Sequence, residues 1–319
     1  MKLGLMLRKI LHNKQRNKAS FGAVNACFLT CLLCSKCNGN RVAVSPRISL
    51  LISVVAHVVR SFSRIAGKES VDVLVLLRQK SKGDVVIEDV VAKIQNRRFL
   101  SFEFVPATGG IETQIAALQA SGIMQKIDAI VCTDSPRACL KMSPILASIK
   151  LQQTLQKPVI CTLSMRDRNS LALQAELLGA NAFDLRLFLA LTGDPVRLGD
   201  QPQSKGVFEG SSKLLLKIID RFNCGTDLQG KPLKCAQQRI YPLCVMNAFA
   251  KPLEKLKTTI RNKIQNGAFA IITQPVYERD TAQTLLQWVT EANHELGRNV
   301  TLIFGFYPIT TFKGACFLH

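Results

Sequence analysis

From Phe99 onward, short apolar runs alternate with longer stretches in which apolar residues recur at helical spacing. The runs at 129–133, 159–163 and 185–191 are almost continuously apolar, which suits strands buried on both faces of a parallel sheet. The pattern predicts strands at 99–105, 129–133, 159–163, 185–191, 240–245, 269–273 and 302–306. Between them it predicts helices at 111–121, 142–156, 169–178, 211–222, 253–265 and 280–296. A lead-in helix is expected at 85–95 and a further one from about Thr311. Strict strand–helix alternation argues for βα units around a parallel sheet. No G-x-G-x-x-G follows the first strand, which disfavours a dinucleotide-binding doubly wound sheet. The fold class read from this order is α/β, a (β/α)8 TIM-type barrel. About seven units are present and the C-terminal unit is missing, since eight units of roughly 250 residues are needed for closure.

The N-terminal part differs in character. Residues 1–68 hold no acid, and residues 1–70 carry twelve Lys and Arg against Glu69 alone. More than half of the net charge of +20 therefore belongs to a basic leader, which argues against a nucleic-acid-binding barrel. The organisation read is a basic, Cys-containing leader at 1–70, a linker and lead-in helix at 71–98, and the incomplete barrel at 99–319. Cys27, Cys31, Cys34 and Cys37 have ligand-like spacing, but no acid or His lies near to support a metal, and a targeting leader, or upstream sequence that does not belong to the functional protein, is the better reading. The other seven cysteines are scattered, as in a reduced, cytoplasmic protein. No apolar run is long enough to span a membrane.

Chemistry in such barrels sits at the C-terminal ends of the strands, where the polar residues here are Glu103, Thr133, Asp194 and Gln274. Glu103 stands between Phe102 and Phe104. A partly desolvated carboxyl there has a raised pKa and suits a general acid, whereas full hydration at the mouth makes it an ordinary strand-end carboxylate. Asp194 follows Gly193, which lets a ligand ring approach the backbone; Gly-Asp-Pro is also common turn chemistry. Gln274 offers an amide that donates and accepts together, as a pterin edge requires, or simply a satisfied buried amide.

Seven fragments then fall in order over about 220 residues. They are Ser-Phe-Glu-Phe around Glu103, Thr-Asp-Ser-Pro-Arg-Ala (133–138), Arg-Asp-Arg-Asn (166–169), Leu-Thr-Gly-Asp-Pro (191–195), Lys-Ile-Gln-Asn-Gly-Ala (263–268), Ile-Thr-Gln-Pro (272–275) and Phe-Tyr-Pro-Ile-Thr-Thr-Phe-Lys (306–313). In this the chain resembles the methylenetetrahydrofolate reductases, most closely the bacterial branch also found fused to homocysteine methyltransferases. The resemblance implies FAD as cofactor, NADH or NADPH as co-substrate, and reduction of methylenetetrahydrofolate to methyltetrahydrofolate for methionine synthesis. Glu103 then corresponds to the general acid and Asp194 to the carboxylate near flavin and pterin. Gln274 and Phe312 correspond to substrate contacts, and Thr133, Gly193, Phe208 and Lys263 to flavin contacts, with Lys263 at a phosphate. Thr162 stands at a further cofactor contact, where some members carry His or Gln. Asn-Ala-Phe-Ala (247–250) departs from the Asn-Pro-Asn-Ala type expected there. An unclosed barrel exposes strand edges, so a homo-oligomer, a partner chain completing the barrel, or an inactive fragment is the alternative expectation.

Overall fold

The predicted alternation is realised in a computed structural model that describes residues 86–248 and 253–308. The order is α1 (Ile87–Gln95), β1 (Ser101–Phe104), α2 (Glu112–Ala120), β2 (Ala129–Cys132), α3 (Pro144–Leu155), β3 (Val159–Ser164) and α4 (Ser170–Ala182). It continues with β4 (Leu187–Leu191), α5 (Ser212–Asn223), β5 (Tyr241–Met246), α6 (Leu253–Gln265), β6 (Ala270–Pro275), α7 (Arg279–Leu296) and β7 (Thr301–Gly305). All seven strands are parallel and pair in chain order, β1 through β7. Among the described residues, β1 and β7 are the two edges. The described residues form seven parallel units of a TIM-type barrel. The leader at 1–70, the run 71–77, which would be the eighth strand if one came from upstream, and the helix expected from Thr311 lie outside the described residues.

Two layers of apolar packing follow from the period-two alternation of each strand. Outward-facing Cys132, Cys161, Leu163, Phe188, Ala190 and Cys244 meet the helices in one cluster. That cluster includes α5, whose Leu215, Leu216, Ile218, Ile219 and Phe222 are buried while Lys213, Lys217, Asp220 and Arg221 face water. Inward-facing Val131, Ile160, Leu187, Leu189, Leu243 and Ala270 fill the barrel. Helix α1 sets Ile87, Val90, Val91 and Ile94 against this inner cluster, at i, i+3, i+4 and i+7. Its Glu88 accepts a 2.7 Å bond from buried Arg186, which also pairs with Asp184 just before β4. The end of the barrel opposite the strand C-termini is thus floored by α1.

Helix α4 differs from its expected span, running to Ala182 rather than to 178. The apolar period falters at Gly179, but Ala180 and Asn181 are buried. The Asn181 amide donates to Gln238 O and accepts from Gln238 N, so a tertiary contact extends the helix past the glycine. Its start is as the sequence implies, with Asn169 Oδ1 accepting from Ala172 N.

The described cysteines are free thiols, three of them buried, two exposed and Cys139 half-buried. Burial pushes Cys132 up to about 12, Cys244 up to about 11, and Cys161 well above the ordinary thiol value. Cys224 and Cys235 are exposed. Under native conditions at neutral pH, iodoacetamide should label these two while Cys132, Cys161 and Cys244 stay unmodified, because the thiolate is the nucleophile. Peptide mass spectrometry reads the result, and early labelling of Cys161 would show that the helix–strand layer opens readily.

Candidate active site at the strand ends

Glu103 lies on β1 opposite Val131, whose side chain belongs to the inner cluster, so both face the barrel interior. Phe102 and Phe104 point the other way, into the helix layer. Water reaches the Glu103 side chain, yet the surrounding protein desolvates it enough to raise its carboxyl pKa. A trough of about 750 Å³ runs from Glu103 along the open edge of β1, beside Gln114 and Leu118 of α2. It marks the edge of the sheet, not the mouth.

Thr133 follows directly on β2 and is anchored to its neighbour: its N–H and its hydroxyl both donate to Phe104 O, at 3.0 and 3.3 Å. The pairing of Cys132 with Cys161 brings Thr133 and Thr162 to adjacent places on the inner face. Thr162 is 2% exposed, and its Oγ1 has no hydrogen-bond partner among the protein atoms. A buried hydroxyl without a partner is costly, so this position fits a bound group that supplies one.

Next to the threonines lies a set of charged residues. Asp134, its side chain 3% exposed, accepts on one oxygen from Ser164 N at 2.8 Å, Ser164 Oγ at 2.9 Å and Arg168 Nη1 at 2.7 Å. Arg168 also donates through Nε to Glu176 on α4 at 2.7 Å. Burial pulls the Arg168 pKa down, and the Asp134 and Glu176 carboxylates more than offset this, so the guanidinium stays charged. Arg166 forks onto Asp167 and donates to Ser135 O at 3.1 Å. Asp134, Ser164, Arg166 and Arg168 received no role from the sequence. The signal was present, since three of them fall inside the two charged motifs at 133–138 and 166–169.

Gly193 has φ +94°, and a Cβ there would stand 3.0 Å from both Ser164 Cβ and Arg166 Cβ. The protein's own packing requires glycine at this point, whether or not a ligand also approaches. Asp194 is exposed and accepts from Arg137 N at 2.7 Å, which ties the loop after β4 to the loop after β2. Phe208 is also brought to the mouth: Val207 N and Phe208 N donate to Arg166 O and Met165 O, at 2.6 and 3.1 Å. Its φ of +41° is rare for an aromatic residue. Gln274 is exposed at a register shift between Ile272 and Pro275, where a bulge re-aims the end of β6.

The structure does not bring Lys263 to this group. It sits in the last turn of α6, toward the floor, and its charge lies near Cys244 on the outer face of β5. Phe312 and residues 249–250 lie outside the described residues. Among the described residues no three His, Cys, Asp or Glu are placed to hold a metal, and no helix is long and apolar enough to cross a membrane.

Comparison with known proteins gives one family: the profile described as methylenetetrahydrofolate reductase matches residues 87–319. No curated protein sequence matches. Among solved structures, the chain is similar to an uncharacterized protein from Clostridium thermocellum that binds two copies of 5-methyl-5,6,7,8-tetrahydrofolic acid. The identity is 16%, over 71% of this chain and 72% of that one, with a TM-score of 0.48. It is also similar to 2,3-dimethylmalate lyase, at 12% identity over 72% of this chain and 81% of that one, with a TM-score of 0.44.

Proposed function

From the premise that the chain belongs to the methylenetetrahydrofolate reductase family, we propose that it reduces 5,10-methylenetetrahydrofolate to 5-methyltetrahydrofolate, with FAD as cofactor and NADH or NADPH as reductant. The product would supply methyl groups for methionine synthesis. The observation that carries this reading is Glu103, a carboxyl of raised pKa on the inner face at a strand end. When bound, the flavin supplies the hydride transfer from nicotinamide to the methylene carbon.

The chain's own residues hold, orient and protonate. Glu103, protonated at higher pH than an ordinary glutamate, gives its proton to the folate ring nitrogen that must leave the methylene carbon. Gln274 faces the pterin edge with an amide that both donates and accepts. The unpartnered Thr162 hydroxyl, Thr133, the Gly193 backbone and the Phe208 ring would hold the flavin, with the Asp194 carboxylate beside it. By the family resemblance Phe312 would contact the substrate, whereas Lys263, at the far end of α6, is given no part. The free thiols of the described residues suit a reducing cytoplasm.

The test is the absorption spectrum of the purified chain, followed by anaerobic reduction with NADH or NADPH and reoxidation with methylenetetrahydrofolate. A yellow protein whose flavin bleaches and recovers is the expected result. A colourless chain that takes up no added FAD would overturn the proposal.

A further inference from the structure

We propose that Asp134 is a positioning residue: its buried carboxylate clamps the end of β3 to the end of β2 and thereby places Gly193 and Asp194 in the mouth. The proposal rests on the flavoenzyme reading above and gives a role to a residue that reading does not use.

The ladder between β2 and β3 stops at Cys132 and Cys161. Ser164, three residues further along β3, therefore has no backbone partner from β2. Asp134 Oδ2 stands in for one, accepting the Ser164 N–H and, in addition, its hydroxyl. On its other side Ser164 pairs with Leu191 of β4 and touches Gly193. Whatever holds Ser164 accordingly sets where the chain leaves β4. From Asp194 the connection returns to the first loop, through the bond from Arg137 N. Asp134, Ser164, Gly193, Asp194 and Arg137 thus form a closed circuit over three consecutive strand ends.

Two features argue that the circuit serves the site and not stability alone. A buried carboxylate is an expensive way to join strands; apolar residues of similar size usually serve stability as well or better. The segment it anchors is also strained. Ser135, Arg137 and Ala138 have φ of +41°, +57° and +57°, a conformation that non-glycine residues hold only when their surroundings impose it. Gly199 adds to the constraint, because a Cβ there would run into the Ala138 carbonyl. A strained loop that is tied at both ends and carries a contact to Asp194 is a pre-organised wall.

The experiment uses the full chain, with Asp134→Asn, Arg168→Gln and their double variant. Glu88→Gln, at the floor of the barrel, is the control for lost stability at a distance. FAD dissociation constants come from flavin fluorescence, the environment of the ring from the shape of its bound absorption band, and stability from thermal melts of the apo chain. Asp134→Asn and Arg168→Gln should each weaken FAD about tenfold or more and alter the band shape, with the double variant no worse than the weaker single one. Glu88→Gln should lower the melting temperature yet leave FAD affinity within about twofold. Should Asp134→Asn fail to fold, Arg168→Gln decides by the same criterion. Where the wild type binds FAD, unchanged affinity and band shape in the single variants would overturn the positioning role alone, as would additive losses in the double variant. A wild-type chain that binds no FAD would overturn the functional reading and the positioning role with it.

Discussion

Glu103→Gln should bind flavin and accept electrons from nicotinamide as the wild type does, while folate reduction falls by roughly 10²–10⁴-fold. The amide keeps the size and the hydrogen bonding of the carboxyl but has no proton to give. The pH dependence follows the sign of the shift. Desolvation raises the Glu103 pKa, so the competent, protonated form persists above the usual glutamate range and is lost as pH rises through the shifted value. Folate turnover in the wild type should therefore fall on the alkaline side of that value, and the fall should be absent from the residual activity of Glu103→Gln. Stopped-flow measurement of the two half-reactions separates these effects. Near-normal folate turnover in the variant would remove Glu103 from the mechanism.

Phe188→Ala should lower stability by about 3–5 kcal/mol, the usual loss for a large side chain removed from a closed core. Phe188 is fully buried on the outer face of β4, and its backbone lies between Cys161 on one side and Pro242 on the other. Helices α4 and α5 close over the same cluster, so little can collapse into the vacated space. For a domain of this size the melting temperature should drop on the order of 10 °C. Phe183→Ala, at the exposed end of α4, is the comparison and should melt near the wild type. Equal effects at the two sites would mean that the helix layer does not close over β4 as described.

The alternation of strands and helices was legible because burial on both faces leaves a continuous apolar run, as at Val159–Ser164, and burial on one leaves a period, as at Ser212–Asn223. The placing of Glu103 and Thr133 at strand ends follows from that pattern. What the pattern does not encode is pairing between polar residues far apart in the chain. Asp134 meets Ser164 and Arg168 some thirty residues on, and neither apolar period nor turn chemistry marks such a partner. Gly193 shows the same limit. A glycine in Gly-Asp-Pro signals close approach, but only the fold shows that Ser164 and Arg166 are what approaches. The extension of α4 past Gly179 depends likewise on a distant contact, between Asn181 and Gln238.

The strict sequential order of the sheet has a consequence for how the domain breathes. Among the described residues each strand is hydrogen-bonded only to its immediate neighbours in the chain, so opening of this part has no shortcut to the middle and works inward from β1 and β7. β3 is buried at every position and β4 at all but its last, whereas β1 and β7 are partly exposed along most of their length. Deuterium should enter the backbone amides in that order, first at Ser101–Phe104 and Thr301–Gly305 and last at Val159–Ser164 and Leu187–Leu191. The slow amides lead directly to Ser164 and Gly193. The strand ends that carry the mouth on this side therefore rise from the part of the sheet that exchanges last.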